Sequence, residues 1–147
     1  MPSIPQSIQV SGAGVDLSPR FSANNTVVAS PAAASETVIA SITSIPASIV
    51  VASGVLIVAQ CAFTVGTSGA SARYRIRQGT TAGSGTVVFD SGVTTAGITA
   101  GNLVIENMIG FDTAASLPGQ AYCLTLTVGS GAAASTVSAA SIAALVI

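Results

Sequence analysis

From about residue 35 onward, apolar and polar residues alternate along short runs that end at glycine, serine or proline. The clearest run places Arg73, Arg75 and Arg77 on one face and Tyr74 and Ile76 on the other. Successive side chains of a β-strand point to opposite sides of the sheet, so this alternation predicts a strand with one buried and one polar face.

The same pattern recurs along the chain and predicts a series of short strands. They cover residues 36–42, 48–52, 55–65, 72–78, 86–89, 103–109 and 120–128. Residues 55–65 are apolar enough to be covered on both faces. Residues 66–69 and 79–85 are predicted turns, and 111–119 a loop. The last segment, 132–147, is mainly strand, although its alanines also suit a helix. Short strands with Gly/Ser turns predict an all-β fold, an antiparallel β-sandwich or jelly roll.

Residues 1–33 have a different character from the rest of the chain. Four of the six prolines lie in this segment and interrupt any periodicity. Two short apolar runs, 7–10 and 26–28, could add to the sheet as edge strands. We expect an extended N-terminal arm over residues 1–33, followed by a β-sandwich domain over 34–147. Long arms without internal structure usually lie on another surface.

The chain has few charged residues, so its surface must be mostly uncharged. Charged residues make up 6% of the 147, and the net charge is −1, whereas an ordinary soluble domain has about 25% charged residues. Little therefore keeps a second copy away, and we expect the chain to assemble with itself. Four basic residues are too few for the basic patch that nucleic-acid binding requires, so we expect no nucleic-acid partner.

Two segments bear on membranes and compartment. Residues 49–65 are β-branched, fall just short of the ~20 apolar residues of a spanning helix, and lack Lys/Arg flanks. We therefore expect no membrane partner. The N-terminal residues show neither a basic segment nor an apolar core of a secretory signal, which predicts that the chain first folds in a cytoplasm.

Candidate catalytic residues are nearly missing from the composition. The chain contains no histidine, which is the commonest general base and metal ligand. The glycine-rich residues 79–85 lack the Gly-Lys-Ser/Thr ending of a phosphate-binding loop. We therefore expect no enzymatic activity, no catalytic or metal site and no cofactor.

The three arginines of residues 72–78 are the one concentration of charge. On one strand face they could form a polar seam between subunits, paired with carboxylates. The alternative is a solvated sheet face balanced by carboxylates of the same chain. The candidate seam residues are Arg73, Arg75, Arg77, Asp90, Glu106 and Asp112.

Two cysteines, Cys61 and Cys123, lie in apolar, strand-like runs. They could be buried thiols that act as small hydrophobic residues, or they could form a disulfide. The cytoplasmic setting favours the thiols.

Several runs of the chain resemble small virion proteins of tailed bacteriophages. These runs are residues 74–81, 85–88, 111–113 and 119–126, and the resemblance extends over about 34–147. It implies a jelly roll that often forms trimers and decorates or cements a capsid.

The preferred hypothesis is therefore a structural virion protein of a bacteriophage that assembles, as an expected trimer, and decorates or stabilises the capsid. Its partners would be itself and other virion proteins such as the major capsid protein. Its location would be the virion, after synthesis in the host cytoplasm. One alternative is a non-viral self-assembling surface or filament subunit. Another is a carbohydrate-binding or adhesive module, for which aromatic residues are few.

Overall fold

A computed structural model describes residues 21–25, 35–45, 54–66, 71–93, 99–113, 115, 119–129 and 135–147. Within these ranges the regular structure consists of eight β-strands, and no helix is long and apolar enough to cross a membrane. The strands are β1 Phe21–Asn25, β2 Glu36–Ile42, β3 Val55–Thr64, β4 Ala72–Gln78, β5 Val87–Asp90, β6 Leu103–Asp112, β7 Tyr122–Val128 and β8 Thr136–Val146.

The strands form two four-stranded sheets. The first sheet has the order β1-β8-β3-β6, and the second has the order β2-β7-β4-β5. All neighbouring strands are antiparallel. Two packed antiparallel sheets of four strands, with the chain crossing repeatedly between them, are the arrangement of a jelly roll. The predicted fold class, an all-β antiparallel sandwich, is confirmed.

The core lies between the two sheets and is built from alternate residues of their strands. β3 buries every second residue, from Val55 to Phe63, because these side chains point at the second sheet. β7 is the exception to alternation, since Tyr122 to Leu126 are all buried. β7 is a central strand, and side chains of its neighbours cover its outward face as well.

Strand β3 differs from its sequence-based prediction. Residues 55–65 were expected to be covered on both faces, but Val58 and Gln60 are exposed on the outside of the first sheet. In a single copy of the chain, the apolar side chains on the outer side of this strand are therefore exposed to solvent. This is the first sign of an apolar outer surface.

Two boundaries also differ from the predictions. β6 continues to Asp112 instead of ending at residue 109, because its pairing with β3 runs on to the last pair, Val55 with Asp112. The ambiguous C-terminal segment forms β8, which is paired on both sides, with β1 and β3. Its alanines are therefore in a strand.

The segment predicted as an arm contributes β1, which pairs with β8 at the edge of the first sheet. The possible strands at residues 7–10, 26–28 and 48–52 lie outside the described residues. The division of the chain into an arm and a domain at residue 33 stays a prediction.

Candidate functional site

The outer face of the second sheet carries an ion-pair network, which we name the arginine ladder: Arg73, Arg75, Arg77, Glu36 and Asp90. Asp90 of β5 lies opposite Arg75 of β4. Arg73 donates from Nε to Asp90 Oδ1 at 2.8 Å and from Nη2 to Oδ2, and Arg75 Nε donates to Oδ2 at 3.0 Å. One carboxylate thus joins two arginines of the neighbouring strand.

Glu36 of β2 closes the other end of the arginine ladder. It accepts two bonds from Arg77, Nε to Oε1 at 2.6 Å and Nη2 to Oε2 at 2.9 Å, and one from Arg75 Nη1 at 3.1 Å. The Thr125 hydroxyl of β7 donates to Glu36 Oε1 at 2.5 Å. Because β7 lies between β2 and β4, these bonds cross a whole strand and cover its outward side. This explains why β7 is buried on both faces.

The arginine ladder is more buried at its Glu36 end. The exposed fraction of the side chain is 12% for Glu36 and 10% for Arg77, against 28% for Asp90 and 36% for Arg73. The hydrogen bond from Arg77 is the main cause of a lowered pKa at Glu36, and burial opposes it. The hydrogen bond from Arg73 is the main cause of a lowered pKa at Asp90. Both carboxyls are therefore ionised near neutral pH.

The structure gives the arginines a different set of carboxylates from the predicted set. Asp90 belongs to the arginine ladder as expected, and Glu36 was missed. Glu36 opens the first predicted strand of the domain, but its approach to β4 depends on β7 from the far end of the sequence. Only the sheet order brings it there. The role of this network as a seam between subunits stays a prediction.

Asp112 and Glu106, the other two candidates, lie on β6 in the first sheet. Asp112 is buried and accepts hydrogen bonds from Gln78 Nε2 at 2.7 Å and from the Tyr122 hydroxyl at 2.8 Å. These bonds link the two sheets at one end of the sandwich. Burial, followed by the bond to Asp112, raises the pKa of Tyr122. Glu106 lies opposite Cys61 in the β6–β3 pairing.

The two cysteines are separate, buried thiols on different sheets. Cys61 lies in β3 and Cys123 in β7. Burial is the main cause that raises the pKa of Cys61 to about 12 and the pKa of Cys123 to about 11. Both therefore remain protonated, which suits the role of small hydrophobic residues.

The outer face of the first sheet is apolar. On β6 every outward residue except Asn107 is a large hydrophobic residue, and Val58 of β3 lies beside them. Exposed fractions range from 46% at Val58 to 64% at Ile109. We name this surface the apolar face: Leu56, Val58, Leu103, Ile105, Ile109 and Phe111.

A row of polar side chains crosses the middle of this surface. Gln60 Nε2 donates to Asn107 Oδ1 at 3.0 Å, and Ser141 of β8 is the strand partner of Gln60 on its other side. With Val58 and Ala143 these residues line a shallow concave patch. None of the described outward residues of β3, β6 and β8 is charged. Sequence alternation could have revealed the apolar face, since residues 103, 105, 109 and 111 are all large and apolar.

Over the described part of the chain, no group of three or more His, Cys, Asp or Glu residues could hold a metal ion. The two outer faces of the sandwich therefore differ in character. The second sheet presents the ion pairs of the arginine ladder, and the first sheet presents the apolar face.

Comparison with known proteins gives a likeness of fold. No protein-family model matches the chain, and no curated protein matches its sequence. A chain in the solved structure of infectious bursal disease virus, Gx strain, superposes with a TM-score of 0.56 at 15% identity. The match covers 99% of this chain and 36% of that one, so this chain spans about a third of its length. The likeness shows a jelly-roll fold of the kind found in viral capsid proteins.

Proposed function

We propose that this chain is a structural virion protein that assembles with copies of itself. The observation that carries the proposal is the likeness of fold to a chain of a virus structure over 99% of the present chain. The jelly-roll order of the strands and the low charge support it. A protein that packs against identical neighbours needs little charge on its surface, whereas a freely diffusing monomer needs more.

The finer proposal is a bacteriophage protein that forms a trimer and decorates or stabilises the outside of a capsid. Its support is the sequence resemblance over residues 34–147. The partners are then further copies and the major capsid protein, the location is the virion, and synthesis takes place in the host cytoplasm. We also propose that the chain has no catalytic role, since it contains no histidine.

A filament or surface subunit outside a virus is the second candidate, and the apolar face is compatible with it. A large uncharged surface suits side-by-side packing in a lattice or fibre as well as in a shell. The two candidates differ in the particles they produce, since heterologous contacts that do not close generate open filaments.

Light scattering and electron microscopy of the purified chain test the proposal. We expect discrete oligomers at micromolar concentration, and mass spectrometry of purified virus particles from the source culture should detect the chain. Long fibres, with no chain in the particles, would support the filament subunit. A monodisperse monomer that is missing from particles would overturn both candidates.

The arm gives a separate test, because we propose that residues 1–33 form an arm that lies across a neighbouring molecule, and residues 1–20 can be deleted without removing β1. Deleting residues 1–20 should leave the unfolding midpoint unchanged and weaken assembly or attachment to the particle. A larger deletion of residues 1–33 is the comparison, since it also removes β1 and uncovers the edge of β8. If the shorter deletion unfolds the domain, the arm is part of the core and the boundary at residue 33 is wrong.

A further inference from the structure

We propose that the apolar face docks on the same face of a second copy of this chain, across a two-fold axis. The inference rests on the self-assembly of the proposed function and names the surface that carries it.

The apolar face is unusual for a surface exposed to water. Four large hydrophobic residues of β6 and Val58 of β3 lie on this face, and only the pair Gln60–Asn107 separates Leu103 and Ile105 from Val58, Ile109 and Phe111. Contiguous apolar patches of this kind mark interaction sites, whereas scattered hydrophobic residues need no explanation. The surface therefore gains free energy when a partner removes it from water.

The partner that fits must bring an uncharged surface. A charged partner would leave its own charges buried without counter-ions, which is strongly unfavourable. The outer face of the second sheet is a poor match for the same reason, since it presents the arginine ladder. The apolar face of another copy meets the requirement.

The polar row in the middle of the face is self-complementary. Side-chain amides such as Gln60 and Asn107 both donate and accept hydrogen bonds, so they can pair with the same residues of a second copy. A two-fold contact places like next to like, because each copy contributes the same patch. Hydrogen bonds between the two polar rows would then fix how one copy is aligned on the other, because the rest of the contact is mainly apolar.

The size of the face is sufficient for a specific contact. β3 and β6 each have 10 residues and β8 has 11. At about 3.3 Å per residue and 4.8 Å between strands, three strands span roughly 33 by 14 Å, or about 470 Å² of flat area per copy. Two corrugated faces therefore bury about 1,000 Å² or more, which reaches the lower range of specific interfaces. This contact forms pairs, and it can join two trimers if a three-fold contact forms elsewhere.

Charge placed in the centre of the face tests the proposal. In the full-length protein, Ile109→Asp should weaken association by roughly 100-fold or more in sedimentation velocity, because each copy would bury an unpaired carboxylate. Val93→Asp is the matched control: Val93 is 61% exposed, close to the 64% of Ile109, but it follows β5 of the second sheet. The control should associate like the wild type.

A second variant and a footprinting experiment test the same surface if Ile109→Asp fails to fold. Ile105→Asp repeats the change at a second exposed position in case Ile109→Asp does not fold, as judged by circular dichroism. Hydroxyl-radical footprinting of the wild type should show Ile109 and Phe111 protected as concentration rises. The protection tests the surface without any substitution.

The outcomes separate this inference from the proposed function. If the wild type assembles and both aspartate variants assemble equally well, the apolar face is not the interface, while self-assembly stands. If Arg73→Ala dissociates the assembly and Ile109→Asp does not, the contact lies on the arginine ladder. A wild type that stays monomeric with Ile109 unprotected overturns both the inference and the self-assembly.

Discussion

The outer faces of the two sheets differ in how their side chains are satisfied. On the second sheet, five of the nine charged residues of the chain (four basic and five acidic) form the arginine ladder. On the first sheet, the described outward residues carry no charge, and large hydrophobic residues are about half exposed. One face is held together by ion pairs within the chain, and the other exposes large hydrophobic side chains to the surroundings.

This contrast explains how a charge-poor chain uses its charges. The arginine ladder links β2, β4 and β5 over the buried β7, so its ion pairs hold one sheet together. Few charges remain to keep neighbouring molecules apart, and the apolar face remains open to them. Charges on the second sheet should therefore affect folding, and residues of the apolar face should affect association.

The largest expected effect on stability follows from the loss of Glu36. Glu36→Ala leaves Arg75 and Arg77 without their shared carboxylate in a site that is nearly closed to water. Stranding a buried charge costs about 3 kcal/mol of unfolding free energy. Urea denaturation of the dissociated protein measures it, with Ile109→Ala as the control on the apolar face, where truncating an exposed side chain should cost less than about 1 kcal/mol. Equal losses in the two variants would remove the distinction between the faces.

Acid should weaken the second sheet by a smaller amount. The folded-state pKa values of Glu36 and Asp90 lie below their ordinary values. Their stabilisation is therefore complete above the unfolded pKa values of about 4 and is lost as the pH falls through the folded ones. The loss should be smaller than that of Glu36→Ala, because protonation removes the charge and leaves the hydrogen-bonding atoms in place.

Urea midpoints measured between pH 7 and pH 2.5 test this effect. The midpoint should stay level near neutral pH and fall below about pH 4. Glu36→Gln is the control, because it removes one of the two carboxyls of the arginine ladder and should flatten the profile. A wild-type midpoint that does not change down to pH 2.5 would contradict the role of the ion pairs.

The smallest effect should come from the open end of the arginine ladder. Arg73→Ala removes the most exposed arginine of the network and leaves Asp90 paired with Arg75. Ion pairs in contact with water contribute little to stability, so the urea midpoint should fall only slightly, and by much less than in Glu36→Ala. Arg77→Ala is the comparison at the closed end and should lower the midpoint clearly. A large effect of Arg73→Ala would show that the network acts as one unit.

Much of the fold follows from the sequence, because alternation is a local property. Residues 72–78 and 120–128 alternate in hydrophobicity, and both form strands, β4 and β7. The same rule put three arginines on one face of β4. It also predicted strand for residues 103–109, whose outward side chains are apolar except for Asn107. These features need only the geometry of one extended segment.

Only the tertiary structure decided which segments become neighbours. Glu36 and Arg77 are 41 positions apart in the sequence. They meet across β7, which pairs with both of their strands, and no local sequence pattern predicts this strand order. Asp112 leaves the predicted carboxylate set because β6 joins the other sheet. In the same way, residues 55–65 are apolar enough for a strand covered on both faces, yet one face is open in the single chain. Hydrophobic periodicity fixes which side chains share a face, whereas the order of strands in the sheets fixes what that face meets.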